Sequence, residues 1–226
     1  MFILIISSYQ ASTGMRLYLS SFLFGNYPQK FAELVAPGNR AALILNALDN
    51  REMVRQKFLE SQTSALTNLG FTVEELDLRC FFGRQNELKD ALGQANSVWV
   101  NGGNSFLLRR AMKQSGFDVT ITDLLLEDKI VYGGFSAGVV VLSPSLRGLE
   151  IIDDPFDVSD DYESETLWDG LGIIDFSIGV HYQSNHPESR RINEVVEYYK
   201  EHNIPYKTLR DGEVLIKKGN NFESLV

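Results

Sequence analysis

Short apolar runs alternate with helical patterns along most of this chain, and that order restricts the fold more than any other feature of the sequence. Apolar runs predict strands at 2–7, 41–46, 72–78, 97–101, 130–135 and 177–181, with shorter ones at 206–209 and 213–217. Apolar residues at helical spacing predict helices at about 51–69, 105–115 and 187–202. Strands that are separated by helices are typical of a parallel sheet. We therefore expect an α/β fold with a mostly parallel sheet.

The length of the chain suits one such domain. With 226 residues, of which 44% are hydrophobic, residues 1–226 can form one large α/β domain but are short for two. The segment 150–169 differs from the rest, because it holds nine acidic residues and no basic one. A segment of this composition is usually a solvated loop.

Charge and composition argue against several classes of partner. The net charge of −9 disfavours nucleic acid, which requires a basic face. No run approaches the roughly 20 apolar residues of a membrane span, and the apolar start at 1–6 is too short for a signal peptide. The single cysteine, Cys80, cannot form an internal disulfide, so we expect a cytoplasmic location. No histidine, cysteine and carboxylate spacing is typical of a metal site, and we predict no cofactor.

The block 130–142 carries the clearest chemical signal. It reads Ile-Val-Tyr-Gly-Gly-Phe-Ser-Ala-Gly-Val-Val-Val-Leu, which predicts a strand, a tight turn and the start of a helix. Such a turn pushes a serine hydroxyl out of the sheet, and only small residues fit beside it. Gly134 and Gly138 occupy those positions, so we predict that Ser136 is a nucleophile. The amide of Ala137 would lie at a helix N-terminus and donate to an oxyanion.

A second glycine turn lies upstream, in the block 98–107, Val-Trp-Val-Asn-Gly-Gly-Asn-Ser-Phe-Leu. It also follows a predicted strand and precedes a predicted helix, and its glycines allow a ligand to approach the backbone closely. By itself the block is more typical of an ordinary connection between a strand and a helix. Together with the serine turn, it makes Gly103 a candidate for the second oxyanion donor.

The choice of a general base is limited, because the chain has three histidines. His202 falls in the last turn of a predicted helix, where a histidine commonly interacts with the helix end. His186 precedes a proline in a polar segment. His181 follows an apolar run at the end of a predicted strand, and the sites of parallel sheets lie at the carboxyl ends of strands. We therefore predict His181 as the base, with His186 as the alternative.

Three blocks resemble the dipeptidase E (aspartyl dipeptidase) family of serine peptidases, which also contains cyanophycinase. They are Val-Asn-Gly-Gly-Asn-Ser-Phe at 100–106, Tyr-Gly-Gly-Phe-Ser-Ala-Gly at 132–138 and Leu-Gly-Ile-Ile-Asp-Phe-Ser-Ile-Gly-Val-His-Tyr at 171–182. With Leu-Arg-Asp-Gly-Glu at 209–213, the resemblance spans most of the chain from about residue 40. It implies a three-layer, flavodoxin-like α/β fold akin to class I glutamine amidotransferase domains, with serine in place of their cysteine.

The resemblance also implies a relay of serine, histidine and carboxylate, which would use Ser136 and His181. The family's acidic member comes a short way after the serine, and an ungapped count reaches Ile151. Because isoleucine cannot do this work, we predict the adjacent Glu150 as the third member. Asp153 and Asp154 are the alternatives.

The arginine with which aspartyl dipeptidases read the substrate carboxylate has no clear counterpart in this chain. Glu188 corresponds to it when the helix is aligned, with Arg190 and Arg191 nearby. The acidic segment 150–169 would repel an anionic substrate if it borders the cleft. The resemblance therefore leaves specificity for aspartyl dipeptides open.

Taken together, these features predict a serine-type peptidase that hydrolyses short peptides. Its oligomeric state is left open, with a homodimer among the options. One alternative is an esterase or amidase for a non-peptide acyl group, since the same turn serves that chemistry. Another is a catalytically silent α/β binding protein. A glutamine amidotransferase is disfavoured, because Cys80 does not lie in a glycine turn.

Overall fold

The structure, a computed structural model, describes residues 14–226, and the strand predicted at 2–7 lies outside the described residues. The strands are β1 (Arg16–Ser20), β2 (Arg40–Ile44), β3 (Thr72–Glu75), β4 (Ser97–Val100), β5 (Val131–Phe135), β6 (Ser177–Gly179), β7 (Tyr206–Thr208), β8 (Val214–Lys218) and β9 (Asn221–Leu225). The helices are α1 (Pro28–Val35), α2 (Glu52–Asn68), α3 (Gln85–Leu92), α4 (Ser105–Ser115), α5 (Phe117–Leu126), α6 (Ala137–Val140) and α7 (Ser189–Glu201).

Seven strands form one mostly parallel sheet, as the sequence predicts. Their order is β3-β2-β4-β5-β1-β8-β9. The five strands from β3 to β1 are parallel, whereas β8 and β9 are antiparallel to their neighbours. The strands β6 and β7 form a separate, parallel pair. The carboxyl ends of the five parallel strands therefore lie along one edge of the main sheet.

Side chains that alternate along the central strands build a core on each face of the sheet. In β4, Val98 and Val100 join one cluster and Trp99 joins the other, as the two-residue period of a strand requires. The cluster of Trp99 includes residues of α1 and α2, and the opposite cluster includes residues of α3, α4, α5 and α7. The three-layer α/β fold is thus confirmed.

Two strands and three regular helices were not expected from the sequence: β1, β9, α1, α3 and α5. The apolar run of β1 is only five residues long and begins with Arg16. Helix α5 follows α4 after a single residue, Gly116, whose positive φ of 74° ends one helix and starts the next. Such short or abutting elements lack the long periodic stretch that identifies a helix in a sequence.

Helix α2 packs its predicted apolar residues Phe58, Ala65 and Leu69 against the core, but its fully buried positions include polar side chains. Its buried residues are Arg55, Gln62 and Leu66, whereas Val54 is 39% exposed. The two polar side chains have partners inside the protein, since Gln62 Oε1 accepts from Trp99 Nε1 at 3.0 Å and Arg55 Nε pairs with an aspartate at 3.0 Å. Apolar periodicity therefore identifies most of the packed face of α2 but misses the buried Arg55 and Gln62.

The acidic segment 150–169 is fastened to α4 by Arg110. This side chain is 1% exposed, and its guanidinium donates to the carbonyl oxygens of Glu165 at 2.8 Å and Pro155 at 2.6 Å. Burial lowers the pKa of Arg110, and the charges of Asp157 and Asp154 oppose that effect. The segment therefore has a fixed path across the protein, although most of its carboxylates face the solvent.

Among residues 14–226, no helix has the length and apolar character that crossing a membrane requires.

Candidate active site

Ser136 lies in a strained turn between β5 and α6. Its φ of 49° and ψ of −119° are unusual for a residue with a side chain. All residues from 131 to 143 are buried except Ser136, which is partly exposed. A Cβ on Gly134 or Gly138 would lie 2.8 or 2.3 Å from the carbonyl oxygen of Val100, so the turn requires glycine at both positions. This geometry is that of a nucleophile elbow.

The neighbouring strand β1 brings Ser21 level with Ser136. Ser20 pairs with Phe135 in the parallel register of β1 and β5, and each serine is the next residue in its chain. Strands in a sheet lie about 4.8 Å apart. The Ser21 hydroxyl accepts a hydrogen bond from the amide of His181 at 2.7 Å. This contact places the backbone of His181 beside the nucleophile turn.

Asp211 is the carboxylate that contacts His181. Its Oδ1 lies 2.6 Å from His181 Nδ1 and 2.9 Å from the hydroxyl of Ser21. The amide of Asp211 donates to Ser184 Oγ at 2.8 Å, which holds the backbone of the aspartate. A carboxylate at Nδ1 keeps the ring hydrogen on that nitrogen and leaves Nε2 able to accept a proton.

The surroundings of His181 favour its neutral form. Its side chain is 2% exposed. Burial is the main cause that lowers the pKa of His181, and the neighbouring His186 lowers it further. The hydrogen bond to Asp211, with the charges of Asp211 and Glu188, acts in the opposite direction. The net effect is a lowered pKa, so the ring is ready to act as a base at neutral pH.

Glu150 and its two alternatives bond elsewhere, and the structure assigns the contact at His181 Nδ1 to Asp211 instead. Glu150 Oε2 accepts from the amide of Gly148 at 2.6 Å, within a 3-10 turn that packs against α7. Asp153 Oδ2 accepts from the amide and hydroxyl of Ser105 at 2.9 and 2.7 Å. Asp154 Oδ1 accepts from the amide of Phe156 at 2.9 Å.

Sequence reasoning missed Asp211 because the residue lies 30 positions after the histidine, not between serine and histidine. Pairing of β6 with β7 sets Gly179 opposite Thr208. His181 and Asp211 follow those residues by two and three positions, so both leave their strands at the same edge. The available signal was Asp211 itself, a polar residue that precedes Gly212 and closely follows the short strand predicted at 206–209.

The two glycine turns lie next to each other at Ser136. Asn101 Nδ2 donates to the carbonyl of Gly102 at 2.8 Å, and a trans peptide directs the amide of Gly103 to the opposite side. A Cβ on Gly102 would lie 2.9 Å from Ser136 Cβ. Within residues 14–226, neither the Gly103 amide nor the Ala137 amide donates to a protein acceptor. Both predicted donors are therefore available to an oxygen of a substrate.

A group of three side chains near the nucleophile has nitrogen and oxygen atoms close together. Ligand atoms of His181, His186 and Glu188 lie within 4.8 Å of one another. The two imidazole rings are nearly parallel, at 6°, and their centroids are 3.7 Å apart. Nitrogen lone pairs lie in the ring planes, so those of two stacked rings do not converge on one ion. As the rings are placed, this group does not form a metal site.

Comparisons with known proteins identify relatives of this chain. An uncharacterised peptidase of Listeria innocua is 31% identical over 170 residues, which are 72% of this chain and 78% of that protein. An uncharacterised peptidase of Listeria monocytogenes is 31% identical over 142 residues, which are 63% of this chain and 65% of that protein, so the match spans slightly less than two thirds of this relative.

A solved structure shares the fold of this chain. A crystal structure assigned to a peptidase E protein of Listeria monocytogenes superposes with a TM-score of 0.76 and 25% identity, covering 93% of this chain and 98% of that one. The model of peptidase family S51 matches residues 29–225, which include both glycine turns, His181 and Asp211. This chain is therefore a member of peptidase family S51.

Proposed function

We propose that the protein is a serine-type peptidase that hydrolyses short peptides, with Ser136 as nucleophile and His181 as general base. The observation that carries the proposal is the hydrogen-bonded group of Ser21, His181 and Asp211 beside a strained serine turn. It supplies a base of fixed tautomer next to a projecting hydroxyl, the arrangement that acyl transfer requires.

The reaction would proceed in two halves. The hydroxyl of Ser136 attacks the peptide carbonyl and passes its proton to His181 Nε2, while the amides of Gly103 and Ala137 hold the oxyanion. The carbon–nitrogen bond then breaks, as His181 gives the proton to the departing amine. In the second half His181 takes a proton from water, which attacks the acyl carbon. The bond to Ser136 Oγ then breaks, and His181 returns the proton to that oxygen. Asp211 holds the ring and stabilises the imidazolium, and it stays ionised.

The charges at the site support neutral or basic short peptides as substrates. The Glu188 carboxylate lies close to the ring nitrogens of both histidines, and its charge acts on His181 and on Asp153. Within residues 14–226, neither Glu188 nor Asp153 forms an ion pair with a basic side chain. A substrate carboxylate would therefore meet the negative charge of Glu188, whereas the charge of Arg51 acts on Asp153.

Hydrolysis of a dipeptide library that includes aspartyl dipeptides tests this proposal. We expect wild type to release amino acids and Ser136→Ala to lose that activity. Ser143→Ala is the matched control, because this buried hydroxyl has no hydrogen-bond partner among residues 14–226 and lies seven residues further along the chain. Full activity of Ser136→Ala would exclude the mechanism.

Further measurements on the same variants distinguish the peptidase from the two alternatives, an esterase or amidase and a catalytically silent binding protein. Turnover of acyl esters without any turnover of dipeptides would indicate an esterase. A fluorophosphonate probe should label wild type and Ser143→Ala at Ser136. Absence of labelling, combined with absence of turnover, would indicate a silent binding protein.

A further inference from the structure

The ring of His186 lies flat against the ring of His181. The two centroids are 3.7 Å apart, with an angle of 6° between the planes. The ring of Phe22 forms T-shaped contacts with both histidine rings, at centroid distances of 5.8 Å to His181 and 5.4 Å to His186. The same phenyl ring meets Phe135, the residue before the nucleophile, at 6.1 Å. The stack is therefore part of the wall next to Ser136.

A tight reversal of the chain brings the second histidine back over the first. His181 has a φ of 57° and Gln183 a φ of 49°, so the backbone turns sharply twice within three residues. Ser184, in the same turn, accepts from the amide of Asp211 and donates its own amide to Ser189 Oγ at 3.0 Å. The turn is thus tied both to the carboxylate of the site and to the start of α7.

A hydrogen bond fixes the protonation of His186 as well. Its Nδ1 accepts from the amide of Glu188 at 3.2 Å. A ring nitrogen that accepts carries no hydrogen, so the neutral ring has its hydrogen on Nε2. A second proton on Nδ1 would face the Glu188 amide and break this bond. The observed arrangement consequently uses the neutral form of His186.

Asp211 alone leaves one motion of the catalytic ring free. A single hydrogen bond at Nδ1 sets the tautomer, but the imidazole can still tilt about the line from Nδ1 to the carboxylate. A parallel aromatic face at van der Waals distance resists that tilt. The neutral ring of His186 is compatible with the positive charge that His181 acquires during the reaction. A protonated His186 would repel that charge.

We propose that His186 is a positioning residue, whose neutral imidazole holds the ring of His181 in the plane in which Nε2 serves Ser136. This proposal rests on the proposed function. The charged and titratable groups that face the stacked pair are Asp211 at the far side of His181 and Glu188 at the start of α7. Loss of activity at acid pH should accordingly follow the protonation of His181, whose pKa the neighbouring His186 lowers.

The first test compares His186→Ala with His186→Phe, which keeps a flat ring but cannot titrate. We expect His186→Ala to lower kcat for a dipeptide by about 10-fold or more with little change in KM, since ring orientation matters in the transition state. His186→Phe should recover most of that loss. Its acid limb of log kcat/KM against pH should lie at higher pH than that of wild type, because a neighbour that lowers the pKa of His181 is removed. His202→Ala is the matched control, because that exposed histidine stacks on Tyr198 at the other end of α7.

The second test does not require turnover. In ¹⁵N-histidine NMR titrations of the inactive Ser136→Ala protein, adding His186→Phe should raise the titration midpoint of His181, because a repelling neighbour is removed. If His181 titrates identically with and without His186, or if His186→Ala has the kcat and pH profile of wild type, the proposal is overturned. If wild type cleaves no peptide but the NMR shift appears, the proposed function fails while the coupling of the rings stands.

Discussion

Ser21 and His181 are 160 residues apart in the sequence, yet the hydroxyl of one accepts the amide of the other at 2.7 Å. The same hydroxyl lies 2.9 Å from Asp211 Oδ1, so one small side chain contacts both the backbone of His181 and the carboxylate of Asp211. Because β1 and β5 are in register, this contact also fixes the distance between the histidine segment and the nucleophile turn.

Ser21→Ala should therefore impair both stability and catalysis. The buried amide of His181 would lose its acceptor, which costs about 1–3 kcal/mol of unfolding free energy. We expect kcat to fall while KM changes little, as measured with a good dipeptide substrate and by urea unfolding. Ser20→Ala is the control, since its hydroxyl donates to the Phe22 carbonyl and does not contact His181. Equal effects of the two changes would contradict this role of Ser21.

Asp211→Asn should decrease kcat far more than Glu150→Gln. An amide at position 211 can favour the wrong tautomer of His181, and the corresponding loss in serine proteases is about 10⁴-fold. Glu150 accepts only from the amide of its own turn, so its conversion to glutamine should change kcat by less than about 3-fold. Steady-state kinetics of both variants decide between the two carboxylates. A larger loss for Glu150→Gln would restore the assignment made from the sequence.

Gly102→Ala should inactivate the protein more than it destabilises it. The added methyl group would lie 2.9 Å from Ser136 Cβ and about as close to the ring of Phe135. We expect the rate of fluorophosphonate labelling to drop by about 10²-fold, because displacement of the nucleophile or of the oxyanion donors by a fraction of an ångström is sufficient. Gly93→Ala, where the new contacts are 3.3 Å or longer, is the control and should label at the normal rate.

Asp153→Asn should stabilise the protein at pH 7.5 and not at pH 4. Burial and the charge of Glu188 raise the pKa of Asp153 to about 6, while the Ser105 hydrogen bonds oppose the rise. Since the folded state then holds the proton more tightly than the unfolded state, the contribution of Asp153 to stability falls as pH rises from about 4 to 6. Asparagine keeps an acceptor for Ser105 without the charge, so we expect a gain of about 1–2 kcal/mol at pH 7.5.

Urea unfolding of wild type and Asp153→Asn at both pH values measures this effect. Asp154→Asn alters the adjacent, exposed carboxylate and is the control. A gain that is equal at the two pH values would show that the charge of Asp153 is not its cause.

Glu188→Gln should relax discrimination against acidic substrates. Removing a negative charge near His181 should raise kcat/KM for dipeptides with an acidic residue by about 3- to 10-fold relative to neutral ones, more so at low ionic strength. Glu194→Gln, on the exposed face of α7, is the control. An unchanged ratio of acidic to neutral substrates would remove Glu188 from the determinants of specificity.

The parts of the site that could be predicted are the local ones. The nucleophile turn is a continuous block in which close approach of Val100 to Gly134 and Gly138 dictates the residue type. His181 could be chosen because three histidines leave few alternatives. The roles of Ser136 and His181 stay predictions, and they rest on residue type and position along the chain.

The partner of His181 could not be found in this way, because the contact depends on how two short strands pair. β6 and β7 have three residues each and lie outside the main sheet. Counting residues from Ser136 led to a turn that packs on α7 instead. The register between β1 and β5 was hidden for a similar reason, since the short run at Arg16–Ser20 was not recognised as a strand.

The contacts of Arg110 with the acidic segment 150–169 depend little on the side chains of that segment. Its guanidinium holds the segment mainly through main-chain carbonyls, which every amino acid possesses. The charged side chains along 150–169 can therefore be exchanged without loss of the anchor. Because α4 carries Arg110 and its N-cap residue directly follows the Gly102–Gly103 turn, the segment can keep one path relative to the candidate site while its side chains change.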